Sequence, residues 1–412
     1  MHKRNIYLDK IKPFLGKPVV KVITGMRRVG KSYLLRQIID QLQQEGVPVG
    51  NILYLDMESL DFEHIRTYRE LNAEVQRELL EQPGTKFLLV DEVQEIAEWE
   101  RAVASLAGRG DLDILLTGSN AHLFSSELAT RLSGRHIEFP IYSLGFGEFL
   151  QFRGEQKSEP QNDFLNFLRY GGLPAIHHFE LADEMVYQYV SSIYNTILLK
   201  DIVKRHAVRN VSLLEHIARY LFDNIGNVMS AKSIADYLKS QRLRVGVETV
   251  QNYLRYFREA LVAHRAQRYD LKGKRLLEIH EKYYLGDIGM RHAVLGYREG
   301  DISGVLENIV FLELLRRGYQ VHVGKLGNRE VDFIATRQKQ RMYIQVAYLL
   351  ATPRVVEREF GVLRDIPDNY PKFVISMDTV FGEDIEGVRR LNLIDFLLQN
   401  ENRDRDSPLS LP

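Results

Sequence analysis

Cysteine is absent from the 412 residues of this chain. That absence excludes disulfide bridges, zinc sites built on thiolates and a cysteine nucleophile, and it fits a reducing compartment. A net charge is absent as well, because 55 lysines and arginines balance 55 aspartates and glutamates. Any contact with nucleic acid must therefore come from a local basic patch rather than from an overall field.

Long apolar runs are also lacking. No stretch approaches the roughly 18 consecutive apolar residues that a membrane-spanning helix needs. The first ten residues, MHKRNIYLDK, contain no apolar core of the kind found in signal peptides. We therefore expect a cytoplasmic protein without a membrane partner.

Two patterns alternate in the first 150 residues. Amphipathic helical patterns, of which the clearest begins at Lys31 and ends near Gly46, separate short apolar runs. These runs predict buried strands and occur at residues 19–24, 51–57, 86–92 and 113–120. The alternation predicts an α/β fold in which helices cover a parallel sheet.

A phosphate-binding motif follows the first strand. Residues 25–32 match G-x-x-x-x-G-K-S/T in full, between a strand that ends at Thr24 and a helix that begins at Lys31. In such a P-loop the backbone N–H groups face phosphate oxygens, and the helix N-terminus adds partial positive charge. Lys31 is expected to reach the β- and γ-phosphates of ATP, and Ser32 to bind Mg²⁺. We assign to nucleotide binding Gly25, Met26, Arg27, Arg28, Val29, Gly30, Lys31, Ser32 and Tyr33; for the two arginines, contact with a partner is the alternative.

An acidic motif follows the third apolar run. Residues 87–90 lead directly into Asp91 and Glu92. This is the Walker B pattern, in which Asp91 holds Mg²⁺ and Glu92 accepts a proton from the attacking water. The run at 51–57 lies between the two motifs in the chain and supplies a strand that can insert between their strands. That order resembles the additional-strand P-loop NTPases, which include the AAA class.

Polar residues after the next strand are candidate sensors of the γ-phosphate. Ser119 and Asn120 end the run at 113–120, where a capped turn is the alternative. Arg131 and Arg135 follow, and an arginine in this region often stabilises transferring phosphate, in cis or from a neighbouring subunit. We rank Arg135 above Arg131, with a surface salt bridge as the alternative for each. The candidate catalytic residues are Glu92, Asn120 and Arg135.

Six segments together resemble one family: GMRRVGKS, FLLVDEVQ, LLTGS, LSGRHIEFP, GGLP and LLKDIV. In this order they look like the prokaryotic AAA-like P-loop ATPases that carry a carboxy-terminal domain of unknown function. The resemblance covers nearly the whole chain. It implies a winged-helix segment, followed by a mixed α/β restriction-endonuclease-like domain.

The middle of the chain contains a basic segment. Helical patterns at 231–238 and 247–263 are joined by a turn and followed by a hairpin pattern, an order typical of a winged helix-turn-helix. From residue 239 to residue 275, ten lysines and arginines stand against three aspartates and glutamates. This segment, 239–275, therefore predicts contact with the phosphates of double-stranded DNA. A protein-interaction module with a solvated basic face is the alternative.

The last domain has an incomplete set of catalytic residues. By the resemblance, Glu307 and Asp332 take two carboxylate positions of a restriction-endonuclease site. Gln345 and Ala347 stand where a third carboxylate and a lysine are usual. Mg²⁺ prefers anionic oxygen ligands, so we expect this domain to be inactive as a nuclease.

A residual metal site is the alternative for this domain. Glu330 shares a strand face with Asp332, because side chains alternate along a strand. Glu307, Glu330 and Asp332 could then hold a metal ion, and Lys325 or Lys339 could replace the missing lysine.

These patterns predict an Mg²⁺-dependent ATPase that drives a carboxy-terminal module binding DNA or a protein partner, with assembly into an oligomer as an option. Two alternatives are a nucleotide-gated binding protein with negligible turnover and an ATP-controlled nuclease. The predicted domains are an ATPase core at 1–150, a helical lid or linker at 151–210, a winged helix at 211–290, a restriction-endonuclease-like domain at 291–400 and a frayed tail at 401–412.

Overall fold

A computed structural model describes residues 2–121, 132, 134–156, 158–379 and 384–399. The chain divides into two compact units. The first comprises the residues up to 142 together with 259–261, and the second comprises the others from 143 onward. The finer division of the second half stays a prediction. Arg131, a candidate arginine, lies outside the described residues.

The first unit is built on a parallel five-stranded sheet in the order β2-β3-β4-β1-β5. Its strands are β1 (Val20–Thr24), β2 (Ile52–Asp56), β3 (Lys86–Asp91), β4 (Leu112–Gly118) and β5 (His136–Pro140). Its described helices include α1 (Asn5–Ile11), α2 (Lys31–Gln44), α3 (Tyr68–Glu78) and α4 (Trp99–Leu106). The predicted α/β class and the helix after the P-loop are confirmed.

Burial explains why the central strands are continuous apolar runs. Every residue of β1, β3 and β4 is buried. A core cluster joins these strands to Leu71 of α3 and Trp99 of α4, while α2 packs on β3 and β4 through a stripe that includes Leu34 and Ile38. Parallel strands covered by helices have no solvent-facing side and lose the alternation of polar and apolar residues.

The strand inserted between the P-loop strand and the Walker B strand is β4. We expected this place for the run at residues 51–57, which forms β2 and lies instead at the sheet edge beside β3. The additional-strand type of the sheet is confirmed, but our choice of the inserted strand was wrong. Crossover connections decide which strands become neighbours, and the order of motifs along the chain does not.

The second unit begins with helices and ends with a mixed sheet. The described helices up to residue 259 include α5 (Phe146–Arg153), α6 (Pro160–Tyr170), α7 (Asp183–Thr196), a π-helical stretch (Ile197–Lys204), α8 (Val211–Asp223), α9 (Ala231–Ser240) and α10 (Val247–Glu259). The later helices include α11 (Ile288–Leu295), α12 (Ile302–Arg316), α13 (Pro353–Arg364) and α14 (Leu393–Leu398). Nowhere in the described part of the chain is a helix long and apolar enough to cross a membrane.

The second sheet has seven strands in the order β12-β11-β10-β9-β8-β6-β7. They are β6 (Ala263–Asp270), β7 (Arg275–Leu285), β8 (Gln320–Leu326), β9 (Arg329–Arg337), β10 (Gln340–Val346), β11 (Lys372–Ser376) and β12 (Val388–Asn392). β6 pairs with β8 in parallel, so the hairpin of β6 and β7 continues the sheet formed by the later strands. The segments predicted as a wing and as a nuclease-like domain therefore share one sheet.

Candidate functional site

The P-loop connects β1 to α2. A Cβ atom on Gly25 would lie 2.4 Å from the carbonyl oxygen of Ile141, so only glycine fits where the chain leaves β1. Gly30, with φ of 100°, precedes the first residue of α2 and adopts the left-handed conformation that glycine tolerates. The loop thus ends at the N-terminus of a 14-residue helix, where backbone N–H groups and the helix dipole favour an anion.

Lys31 is buried against this loop, with 4% of its surface exposed. Its Nζ donates hydrogen bonds to the carbonyl oxygens of Gly25, at 3.0 Å, and Met26, at 3.3 Å. The same Nζ lies 3.1 Å from Oε1 of Glu92. A buried ammonium needs such partners, and here one partner is the predicted catalytic base.

Asp91, the last residue of β3, accepts hydrogen bonds from three hydroxyl groups. The Tyr54 hydroxyl lies 3.0 Å from Oδ2, Thr117 donates to Oδ1, and Ser32 is the third donor. Burial raises the pKa of Asp91 despite the hydrogen bonds from Ser32 and Thr117, which lower it. The two predicted Mg²⁺ ligands, Ser32 and Asp91, are therefore in contact and offer hard oxygen atoms.

Glu92 adopts a left-handed backbone conformation, with φ of 54°, which is uncommon for a residue with a side chain. Its N–H donates to Thr117 Oγ1 at 2.9 Å. Burial alone would raise the pKa of its carboxyl group, but the charge of Lys31, a hydrogen bond from Gln94 and the charge of Arg27 outweigh burial and lower the pKa to about 2. Glu92 is therefore ionised at neutral pH, as a proton acceptor must be.

The remaining P-loop residues divide between interior and surface. Arg27 is buried and forms an ion pair with Glu58 at 2.7 Å. Arg28 is exposed, with φ of 69°, and Tyr33 is 54% exposed. Met26 and Val29 are buried apolar side chains. The charge of Arg27 helps to lower the pKa of Glu92, whereas the side chain of Arg28 is accessible to solvent.

Asn120 lies at the carboxyl ends of the parallel strands, as the P-loop does. It is buried and comes two residues after the end of β4, the strand between β1 and β3. Its neighbour Ser119 accepts a hydrogen bond from Gln94 at 3.4 Å, and Gln94 also donates to Glu92. The sensor role of Asn120 stays a prediction.

Arg135 lies at the opposite end of the strands, where β1 begins. Its carbonyl oxygen accepts a hydrogen bond at 2.9 Å from the N–H of Val20, the first residue of β1, whereas the P-loop follows the last. The five residues of β1 separate the two points by about 16 Å, at about 3.3 Å per residue. The role of Arg135 stays a prediction, and this distance favours a contribution from a neighbouring subunit over a contact with the phosphates of its own P-loop.

Three residues at the site were not expected from the sequence: Thr117, Tyr54 and Arg4. Arg4 is 4% exposed, and its Nη1 donates to the carbonyl oxygens of Val29, at 2.8 Å, and Tyr142, at 3.0 Å. Val29 immediately precedes Gly30 of the P-loop. Arg4 therefore supports the loop from a position well before β1, where the sequence MHKR carries no signal that distinguishes it from a surface basic residue.

A second cluster of charged residues lies in the second unit. Lys282 on β7 is 2% exposed, and its Nζ lies 3.1 Å from Glu307 Oε2, 2.7 Å from Glu330 Oε1 and 3.9 Å from Asp332 Oδ1. Burial alone would lower the pKa of Lys282, but the charges of these carboxylates raise it. The three residues of the predicted residual metal site do meet, around an ammonium group.

Gln345 has a structural role beside this cluster. Its Oε1 accepts a hydrogen bond from the Asp332 N–H at 2.7 Å, and its Nε2 donates to Glu359 at 2.8 Å. A carboxylate at 345 would face the buried Glu359, so the neutral amide avoids a like-charge contact. Across the part of the chain that the structure describes, no group of three or more His, Cys, Asp or Glu side chains could hold a metal ion. The lysine at the cluster is Lys282, and not Lys325 or Lys339 as the sequence suggested.

The P-loop lies in a segment of the chain that matches a known domain family. An AAA domain matches residues 17–150, and a domain of unknown function matches residues 161–301. An uncharacterized protein of Haemophilus influenzae is 36% identical over 402 residues, 97% of this chain and 99% of that protein. An uncharacterized protein of Methanocaldococcus jannaschii is 32% identical over 347 residues, 80% of this chain and 75% of that protein.

Among solved structures, the Walker-type ATPase of Pyrococcus abyssi has a similar fold. The TM-score is 0.52 at 16% identity, and the similarity covers 71% of this chain and 96% of that chain. At this identity the similarity concerns the fold alone. Arg4 lies before the matched AAA domain.

Removal of Arg4 should weaken ATP binding more than it slows turnover. Arg4→Ala deletes two hydrogen bonds from a charged donor to buried carbonyl groups, each worth about 1.5–3 kcal/mol. We expect the ATP dissociation constant to rise about tenfold or more, and millimolar guanidinium to restore part of the loss. Lys3→Ala, which removes an exposed neighbouring charge, is the control. A lower thermal midpoint with unchanged ATP affinity would show that Arg4 does not shape the loop.

Removal of Lys282 should destabilise the second unit. Lys282→Met leaves three buried or half-buried carboxylates without their cation, and breaking a buried pair in this way costs about 3–5 kcal/mol. Lys339→Met, at an exposed position, should change stability by less than about 0.5 kcal/mol. Urea unfolding followed by circular dichroism measures both. Equal midpoints for the two variants would contradict the account of this cluster.

Proposed function

Because the chain belongs to the family of AAA-domain P-loop ATPases with a carboxy-terminal domain of unknown function, we propose that it binds ATP with Mg²⁺ and hydrolyses it at the P-loop. The observation that carries this proposal is the convergence of four residues at the carboxyl ends of β1 and β3: Lys31, Ser32, Asp91 and Glu92. Each has the chemistry that its position in a P-loop ATPase demands.

The residues present fit a Mg²⁺ ion. Ser32 and Asp91 offer adjacent hydroxyl and carboxylate oxygens, and Tyr54 and Thr117 orient the Asp91 carboxylate by hydrogen bonds. Bound Mg²⁺ supplies neutralising charge to the phosphate oxygens. Orienting hydrogen bonds of this kind sharpen a metal site because they hold the ligand in one geometry.

Lys31 and Glu92 would change partners when ATP binds. The ammonium group of Lys31 releases the Glu92 carboxylate and binds phosphate oxygens instead. The Glu92 carboxylate then accepts a proton from the water that attacks the γ-phosphorus, while the bond from the γ-phosphorus to the bridging oxygen breaks. Asn120 positions that water or the γ-phosphate, and Arg135 acts from a neighbouring subunit in an oligomer.

The second unit is the proposed interaction module. We propose that residues 239–275 bind double-stranded DNA, because ten basic residues stand against three acidic ones in this segment of a neutral chain. The succession of α9, α10 and the β6–β7 hairpin supports the same reading, since it is the element order of a winged helix. A protein partner is the alternative occupant.

Substitution of the two motif residues separates binding from turnover. We expect Lys31→Ala to lose ATP binding, and Glu92→Gln to retain binding while turnover falls by about 10²–10⁴-fold. Glu95→Gln, at an exposed position in the same turn, should behave like the wild type. A fluorescent ATP analogue reports binding, and phosphate release reports turnover. Release by the wild type at the rate of the Lys31→Ala variant would refute the ATPase proposal.

The same preparations distinguish the two alternatives. A nucleotide-gated binding protein would bind ATP with negligible phosphate release, both with and without DNA. An ATP-controlled nuclease would cleave a plasmid in a Mg²⁺-dependent reaction that Asp332→Ala abolishes. A metal-dependent nuclease would need a metal ion among these carboxylates, where the Lys282 ammonium instead pairs with Glu307 and Glu330. These ion pairs therefore count against the nuclease alternative.

A further inference from the structure

A groove in the second unit runs between α10 and the β6–β7 hairpin. Its volume is about 400 Å³, and the start of α9 closes one side. Three arginines line it, Arg255 and Arg258 from α10 and Arg265 from β6.

The groove has a positive wall. Its one lining carboxylate, Glu281, is engaged with the wall itself, since it pairs with Arg265 at 3.0 Å and accepts a hydrogen bond from the Tyr283 hydroxyl at 3.0 Å. With three arginines against one glutamate, the lining carries an excess of two positive charges. A planar guanidinium binds phosphate through two parallel hydrogen bonds, which an ammonium group cannot do.

The polar face of α10 forms part of the positively charged wall of the groove. Val250, Leu254 and Phe257 are buried in the core, so the opposite face of the helix remains for contact. That face carries Gln251, Asn252, Arg255 and Arg258, which lie within two turns of one another and all line the groove. The Arg255 guanidinium donates to Asn252 Oδ1 at 3.1 Å, which orients the Asn252 amide.

We propose that this groove binds the phosphate backbone of double-stranded DNA and that Arg255 and Arg258 make the principal phosphate contacts. This inference rests on the proposed DNA-binding function and locates it. It also ranks the groove above the hairpin tip, where Lys272 and Lys274 are exposed. A duplex backbone presents phosphates at regular intervals, so neighbouring guanidinium groups can each contact a different phosphate.

Two matched double variants of the full chain test the groove against the tip. Arg255→Ala/Arg258→Ala and Lys272→Ala/Lys274→Ala each remove two positive charges from the same segment. Fluorescence anisotropy with a labelled duplex would measure affinity from about 50 to 200 mM salt. The arginine variant should lose at least about tenfold in affinity, and its slope of log K against log salt should fall by about 2, one for each lost phosphate contact. The lysine variant should lose less in both quantities.

The outcomes separate the inference from its premise. If the wild type binds no duplex at low salt, the proposed DNA function fails and the groove inference fails with it. If the wild type binds but both double variants lose equally, or the arginine variant loses less, only the groove inference is overturned. Polyglutamate that competes as well as unlabelled duplex would also overturn it, since that result describes a surface for acidic peptides.

A lysine variant guards against a folding artefact. Arg255→Lys/Arg258→Lys keeps both charges but loses the paired hydrogen bonds. We expect it to restore most of the salt slope and only part of the affinity, with a circular dichroism spectrum like that of the wild type. If it restores neither slope nor affinity while remaining folded, the two arginines do not contact phosphates through their charge, and the proposal is wrong.

Discussion

The buried ion pair between Lys31 and Glu92 joins the two motifs on which the candidate site depends. Lys31 begins α2 and Glu92 follows β3, so the pair connects two strands, β1 and β3, that have β4 between them in the sheet. Thr117 of β4 completes the connection, since its hydroxyl accepts from the Glu92 N–H and donates to the Asp91 carboxylate. A buried charge that loses its partner destabilises the protein. An anion that displaces the Glu92 carboxylate must therefore contact the Lys31 ammonium group directly.

Much of this site could be predicted from the sequence, because the motifs are local. The eight residues of the P-loop lie between a local strand pattern and a local helix pattern. Asp91 directly follows an apolar strand pattern that ends at Val90. Thr117 and Tyr54 could not be predicted as partners of Asp91, since their contacts depend on which strands become neighbours. The same uncertainty led us to assign the inserted position to β2. Arg135 could not be placed from the sequence either. It is close in the chain to Asn120, but it lies where β1 begins, whereas the P-loop follows the end of β1.

Charge compensation explains the second unit in similar terms. The sequence shows carboxylates at Glu307, Glu330 and Asp332, and position 347 lacks the lysine that a restriction-endonuclease-like site would be expected to have. Only the folded sheet shows that Lys282 from a different hairpin fills the space between these carboxylates. The neutral Gln345 is then understandable as a hydrogen-bonding bridge between Asp332 and Glu359. These long-range contacts have no periodic signature, so no reading of a single segment could find them.

The most direct test of ATP binding at the P-loop is a crystal structure of the Glu92→Gln variant with ATP and Mg²⁺. We predict that Lys31 Nζ lies about 3 Å from a β- or γ-phosphate oxygen, at hydrogen-bonding distance, and that the Ser32 hydroxyl binds the metal ion beside Asp91. An ATP molecule bound away from the P-loop, with Lys31 still directed at residue 92, would contradict ATP binding at this site.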